Sequence, residues 1–354
     1  MTGNGILVVA SGGLGDAVML AHVFPRLASL AKPGERVTLV LRRDARKMAF
    51  LFAGHANVEY VDYDKYAHSF WQRRAVHKHL GTQPWRLIIN TDFLRHPRRD
   101  ERLIKALPAD EKVAMRPRAW AKYDRELKRN EAIYARLFDS GPVLLDKIVR
   151  WHRFADWLTG SPQAPTPVRF PPERLPEPAQ TDKPLALLIP FSAVREKQAS
   201  PELFAAIAKH LPADFDIVIP GAPDDLQCNP DYAALLNLPR VRFAVCDFEA
   251  LARLMRAAKI VVSVDTAAMH LAVTMNAPTL CLASAAYVGE IVPYAAEISP
   301  PNARFVYTSM PCQGCLGACI LPTEDDRFPC VARLSRNDVL KEIDRLLPEK
   351  IVGT

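Results

Sequence analysis

Ser263-Val-Asp-Thr-Ala-Ala-Met-His-Leu-Ala272 decides the fold class. It follows the apolar run Lys259-Ile-Val-Val262, which has the character of a buried parallel strand. Asp265 and Thr266 fall where that strand ends, and Ala267 to Met275 begin a helix. In open α/β sheets ligands bind beyond the carboxyl ends of the strands. A helix that starts there offers free N–H groups and a partial positive charge to a phosphate. Asp265 has the chemistry to accept from a sugar hydroxyl, and His270 lies one turn beyond Thr266. The plainer alternative is that Asp265 or Thr266 caps the helix and His270 is a core histidine.

A second strand-end motif opens the chain: Ile6-Leu-Val-Val-Ala-Ser-Gly-Gly-Leu-Gly-Asp-Ala-Val-Met-Leu20. The pattern predicts a strand over 6–10, a tight turn at Gly12, Gly13 and Gly15, and a helix from about Asp16. The glycines read G-G-x-G and not G-x-G-x-x-G. The second predicted strand, 37–41, ends in Arg42 and Arg43, where a dinucleotide site has an acidic residue. Asp16 is an N-cap candidate, and in a cleft it is also a candidate base for an attacking hydroxyl.

At 354 residues and 49% hydrophobic content the chain has the size of two domains with full cores. No 18-residue apolar run predicts a transmembrane helix. The opening Met-Thr-Gly-Asn-Gly5 lacks the basic region of a signal peptide, so the expected location is the cytoplasm. Seven cysteines are then expected reduced or metal-bound, with Cys228, Cys246 and Cys281 scattered in the interior.

The net charge of +7 is unevenly spread. Residues 1–183 hold 31 Lys and Arg against 20 Asp and Glu, and residues 184–354 hold 15 against 19. The basic half is densest at 95–99, at Arg116 and Arg118, and over 122–129. Such a half attracts an anionic partner: nucleic acid, a membrane surface or a phosphorylated glycolipid. No nucleic-acid-binding pattern is present, so nucleic acid is not expected. The opposing view makes many of these residues solvated helix faces, as Glu101/Lys105 and Arg125/Arg129 spacing suggests.

Pro-rich stretches within 161–184 divide the chain. The expected organisation is an N-terminal acceptor-binding domain over 1–165, a linker over 166–183, a donor domain over 184–335 and a C-terminal helix over 336–354. Strands expected at 6–10, 37–41, 86–90, 185–190, 215–219, 260–264 and 279–282 alternate with helical stretches. Both halves therefore read as doubly wound α/β domains facing a cleft. Three further loops would border it. Pro190–Lys197 supplies Ser192 and Lys197 for a diphosphate, Pro220–Asp225 supplies carboxylates for ribose or a cap, and Ala283–Pro293 is the third.

Together these residues resemble glycosyltransferase family 9, the bacterial heptosyltransferases of lipopolysaccharide synthesis and their relatives. The features that carry the resemblance are Gly13-Leu-Gly-Asp16 with Pro25, Ser192…Lys197 with Glu202 and Phe204, Gly221-Ala-Pro-Asp224, and Asp265–Ala272 with Pro278. The resemblance implies a GT-B fold of two Rossmann-like domains and inverting transfer without a catalytic metal, with ADP-heptose as the usual donor and an anionic glycolipid such as lipopolysaccharide core as acceptor. It makes Asp16 the base, Ser192 and Lys197 the diphosphate ligands and Asp224 a ribose contact. Asp265, Thr266, Ala267 and Ala268, with His270, become the donor-sugar and phosphate site. The sequence departs from the family at Ala10-Ser11, where an arginine is common, at Ala267, where a glycine is usual, and at Ala199, where a tryptophan is usual. Arg98, Arg99, Arg116 and Arg118 are expected to hold the anionic acceptor, at or near the inner membrane surface.

Cys312-x2-Cys315-x3-Cys319-x10-Cys330 is a separate constellation, in a loop over 312–330. The spacing suits tetrahedral thiolate ligation of a structural zinc or iron, against the alternative of a loop of reduced thiols. Two other functions stay open. One is a non-catalytic glycan- or nucleotide-binding protein on a decayed transferase fold, and the other an NAD(P)-dependent oxidoreductase using the first glycine turn.

Overall fold

The computed structural model describes residues 4–82 and 84–347. The chain forms two compact units, Met1–Ala164 and Pro165–Thr354. The first holds a six-stranded parallel sheet of β1 (Ile6–Ala10), β2 (Val37–Arg42), β3 (Asn57–Val61), β4 (Trp85–Asn90), β5 (Ala109–Met115) and β6 (Arg136–Phe138). Its strand order is β3-β2-β1-β4-β5-β6. The second holds β7 (Leu185–Ile189), β8 (Asp216–Gly221), β9 (Val241–Val245), β10 (Ala258–Val264), β11 (Thr279–Leu282) and β12 (Ala303–Val306). Its order, β12-β11-β10-β7-β8-β9, is the same winding when counted from its own first strand. Every strand pair is parallel, so each sheet is a Rossmann sheet and the fold is GT-B.

The winding reverses between β1 and β4, paired Val8 to Ile89, and between β7 and β10, paired Leu188 to Val262. These central strands carry unbroken Val, Leu and Ile runs because helices cover both faces. Ile6, Leu7, Val8 and Val9 are fully buried, as are Leu187, Leu188, Val261 and Val262. The loops leaving such strands emerge side by side at the switch point.

The seven strands expected from sequence are present to within two residues at each end. β3, β5, β6, β9 and β12 were not foreseen. The helix after β1 is Leu14–Ala28, starting two residues before Asp16, with Gly13 and not Asp16 as N-cap. The Pro-rich segment expected as a linker hydrogen-bonds within the second unit: the N–H groups of Val168, Phe170 and Ala179 donate to the carbonyls of Ile298, Thr274 and Arg253. The C-terminal helix is Arg336–Leu346; residues 348–354 lie outside the described ones. Among the described residues no helix is long and apolar enough to cross a membrane. Of the three scattered cysteines only Cys281 is buried; Cys246 is half-buried and Cys228 exposed, a correction to the expected interior placement.

Candidate functional site

At the switch point of the first unit, Asp16 folds back over the turn that precedes its helix. Its Oδ2 accepts the Gly13 N–H at 2.7 Å, and a Cβ on Gly12 would stand 2.5 Å from the same oxygen. Gly12 is therefore required by the close approach of this carboxylate. Asp16 sits in the third position of the helix and still satisfies one of the free N–H groups at its start.

The other carboxylate oxygen, Oδ1, takes Lys147 Nζ at 2.6 Å. Lys147 is the first residue of helix Lys147–Thr159, whose N-cap Asp146 accepts the Ile148 and Val149 N–H groups. A cation at a helix start opposes the helix dipole. The ion pair with Asp16 offsets that cost. Trp151 on the same helix donates its indole N–H to the Thr91 carbonyl at 2.8 Å and so ties the helix to the end of β4.

Asp92 follows Thr91 and is almost fully buried; its Oδ2 accepts the Ser11 N–H at 2.8 Å. Burial pushes its carboxyl up to about 6. The Asp16 charge adds to the rise, while the Ser11 hydrogen bonds and Lys147 oppose it. Behind it lies Asp100, pushed up to about 8 by burial and by the Asp92 charge, with its Oδ1 on the His96 N–H. Lys147 and Asp92 were both missed from sequence. Lys147 lies 131 positions from Asp16 in the chain, and only the opposition to its own helix dipole could have flagged it.

Three of the four expected acceptor arginines are already paired with acids, with Arg98 and Arg116 exposed and Arg99 and Arg118 half-buried. Arg98 stands 3.7 Å from Glu126, Arg99 2.7 Å from Asp64 and Arg116 3.3 Å from Glu131. Arg118 donates its backbone N–H to the Phe93 carbonyl. The basic segment at 95–99 is not uniformly superficial: Arg95 is buried, 3.1 Å from a Glu101 that is equally buried. Glu101 is thus no part of a solvated helix face.

At the switch point of the second unit, Lys197 Nζ and Asp265 Oδ2 form a 2.8 Å ion pair with side chains only 11% and 3% exposed. Lys197 ends the 3-10 turn Arg195–Lys197, and its Nζ lies 4.4 Å from the centre of the Tyr287 ring. Thr266 is the N-cap of helix Ala267–Thr274, but no side chain caps this helix. The capping role that competed with ligand binding for Asp265 and Thr266 is therefore not taken by either. The Met269 and His270 N–H groups turn back to the Thr266 carbonyl, while Ala267 and Ala268 occupy the first turn at the end of β10. His270 is a core histidine, buried, with Nδ1 2.6 Å from the Tyr294 hydroxyl.

Ser192 Oγ accepts the Val194 N–H within its own loop, and the Ser192 carbonyl accepts from Gln198. After β8 the two carboxylates divide their roles. Asp225 folds over Gly221 and accepts the Ala222 N–H at 2.6 Å, while Asp224 is exposed and makes no side-chain cap.

The cysteine loop packs against the loops of this second site. Gly314 and Leu316 N–H groups donate to the Ala285 and Ala286 carbonyls, Phe328 N–H to the Glu196 carbonyl, and Arg327 Nε to the Gln198 carbonyl at 3.0 Å. Burial raises the Cys312 thiol, and neighbouring Cys319 and Cys315 add to it. Burial also raises the Cys330 thiol, opposed by the Ala285 and Ala286 N–H groups and reinforced by Cys312 and Cys319. The thiols are neighbours. Among the described residues, however, no group of three or more His, Cys, Asp or Glu side chains is placed to hold a metal ion, so a formed four-thiolate centre is not what the geometry displays.

The profile of Glycosyltransferase family 9 (heptosyltransferase) matches residues 144–313, a span that includes Lys147, Lys197, Asp224 and Asp265. Over that span the chain is similar to glycosyltransferase family 9. No curated protein sequence matches it. Among solved structures it is similar to E. coli heptosyltransferase WaaC with ADP-2-deoxy-2-fluoro heptose, at 18% identity and a TM-score of 0.65 over 96% of this chain and 99% of that one. It is also similar to a family 9 glycosyltransferase from Veillonella parvula, at 15% identity and 0.68 over 99% and 98%. The iron-containing dodecameric glycosyltransferase TibC from enterotoxigenic E. coli matches at 13% identity and 0.55, over 99% of this chain and 77% of its own. At these identities the likeness is one of fold.

Proposed function

We propose that this chain is a family 9 glycosyltransferase that transfers a sugar, heptose from ADP-heptose, to a hydroxyl of an anionic glycolipid with inversion at the anomeric carbon. The observation that carries the reading is the Lys197–Asp265 pair beside a helix start that no side chain caps, at the carboxyl ends of adjacent strands. That is the setting in which α/β sheets bind a diphosphate. WaaC, one of the structural neighbours, is described with ADP-2-deoxy-2-fluoro heptose.

In this reading Lys197 is a point charge on the diphosphate and the N–H groups near Ala267 and Ala268 receive its oxygens. Exposed Asp224 meets the ribose, and Ser192 contributes through its loop. Asp265 is buried and holds Lys197 in place. Asp16 Oδ1 accepts the proton of the acceptor hydroxyl while Gly13 fixes its other oxygen. The acceptor oxygen bonds to the anomeric carbon from the face opposite the diphosphate. The bond to the leaving oxygen breaks, and its electron pair stays on the phosphate. Arg98, Arg99, Arg116 and Arg118 draw in the acceptor's phosphates or acidic sugars, and the chain works in the cytoplasm against the inner membrane surface. No catalytic metal and no nucleic acid partner take part.

Incubating the protein with ADP-heptose and a heptose-deficient glycolipid, and reading product stereochemistry by NMR, tests this. A product with retained configuration, or no transfer by a protein that binds the donor, rejects it. The second outcome would favour the non-catalytic sugar-nucleotide-binding alternative.

The four-cysteine loop is proposed to take up a structural zinc or iron, on the strength of its spacing and the mutual approach of its thiols. TibC, of the same fold, is described as iron-containing. Such an ion would stiffen the segment that holds the Gln198 and Glu196 carbonyls and take no part in transfer. Metal analysis of protein purified without chelator checks it. Four freely titrating thiols and no metal reject it.

A further inference from the structure

Between Asp64 and Asp92 the chain has no acidic residue, yet it carries Lys65, Arg73, Arg74, Lys78 and Arg86 with three histidines. Helix Phe70–Leu80 lies within that stretch. Its N-cap Ser69 accepts the Gln72 N–H, so the helix has a defined start, and Phe70 and Trp71 form its first turn.

The inner side of the helix is fully used. Leu80 is buried and Val76 packs on the core of the first unit. Arg73 donates to the Tyr66 and Ala67 carbonyls, and His77 Nε2 stands 2.7 Å from the Tyr66 hydroxyl.

The outer side is different. Trp71, Arg74, Ala75, Lys78 and His79 are all exposed, at spacings of three and four residues that make one face. Trp71 is 75% exposed and its neighbour Phe70 60%, with the two rings packed edge to face at 5.5 Å. Arg74 and Lys78 make no ion pair among the described residues; His79 stands 3.2 Å from Glu59.

A single exposed apolar side chain is ordinary. Two adjacent aromatic rings left in water beside unpaired cations are not, and this combination marks helices that lie in a bilayer interface. Tryptophan prefers the headgroup level, where its ring is desolvated and its N–H stays wet. Lysine and arginine meet lipid phosphates there. Eleven residues are too short to span a bilayer and long enough to lie on one.

We propose that helix Phe70–Leu80 is a docking surface for an anionic lipid bilayer, with Phe70 and Trp71 inserted among the headgroups and Arg74 and Lys78 on lipid phosphates. The proposal sharpens the membrane contact named under Proposed function. It is tested without donor or acceptor, so its failure and the failure of the transfer reading are told apart.

The experiment is co-sedimentation of the full chain with phosphatidylcholine vesicles, with and without phosphatidylglycerol. The expected result is binding to the phosphatidylglycerol vesicles that falls with salt. Phe70→Ser with Trp71→Ser should abolish it. Arg74→Gln with Lys78→Gln should weaken it roughly thirty-fold. All four side chains are exposed, so the thermal unfolding midpoint of each variant should match the parent. Absence of vesicle binding, equal binding to pure phosphatidylcholine, or variants that sediment like the parent would overturn the proposal. Size-exclusion chromatography covers the other occupant. A parent dimer that Phe70→Ser with Trp71→Ser converts to monomer, with no vesicle binding, would assign the face to a second copy instead.

Discussion

The two units share a winding and a local device but put charge to opposite uses. In each, an aspartate folds over a glycine four residues earlier and accepts the next residue's N–H: Asp16 over Gly12, and Asp225 over Gly221. In the first unit this carboxylate follows central β1 and shares the switch point with buried Asp92 and with Lys147. In the second the device follows β8, one strand away, and the switch point belongs to Lys197 and Asp265. The same backbone turn thus presents a carboxylate at the switch point of one sheet and anchors a loop beside it in the other. The strand it follows decides which.

The contrast breaks most sharply at Asp16. Asp16→Asn keeps the shape and an oxygen for the Gly13 N–H but removes the base. Turnover should fall by roughly a thousand-fold with donor affinity unchanged, read by steady-state kinetics and isothermal titration. Wild-type turnover in that variant would make Asp16 a loop anchor like Asp225 and nothing more.

Lys197→Ala comes next. It strips the partner from a buried carboxylate and should cost about 3–5 kcal/mol in urea unfolding. Lys197→Met combined with Asp265→Leu should recover most of that stability, because no lone charge is left inside. The parent should be thermally stabilised by ADP-heptose, and both variants should lose that stabilisation. Retained stabilisation in the double variant would move the donor away from β7 and β10.

Asp92 gives a smaller, pH-dependent effect. Its native carboxyl titrates near 6 and its unfolded one near 3.8. The native state therefore holds the proton more tightly, and stability falls as pH rises between those values, then stays level. Asp92→Asn should remove this dependence and raise stability at pH 7 by at most about 3 kcal/mol. Parallel stability-against-pH curves for the two proteins would refute the buried-acid assignment. The smallest effect is expected at Arg98, Arg99, Arg116 and Arg118. Three of them are paired with acids near the surface, so neutralising all four should raise the acceptor KM only several-fold, and added salt should mimic it.

The central strands were legible in the sequence because burial on both faces leaves unbroken apolar runs such as Ile6–Ala10 and Ile260–Val264. The outer strands were not. β5 carries Asp110, Glu111 and Lys112, and β3 carries Asn57 and Glu59, so their patterns resemble surface loops. Asp16, Lys197 and Asp265 were legible because each follows a readable strand. Lys147 and Asp92 were hidden: one is a partner distant in the chain, the other an aspartate after a strand with no glycine to mark the turn. Arg95 and Glu101 read as surface charge because sequence spacing cannot tell a solvated pair from a buried one.

Arg327 and Phe328 bear on how the protein can be cut. Both hold backbone carbonyls of the loop that presents Lys197, yet both fall beyond Gln313, where the family profile ends. A fragment trimmed to that boundary would retain every residue proposed to hold the donor and lose the brace behind them. Its lysine loop would then be free to rearrange, with the ammonium group no longer fixed over Asp265. Truncated proteins for crystallisation or binding work should therefore run through Cys330 and the closing helix, and a shortened protein that fails to bind nucleotide would report on the missing brace before it reported on the site.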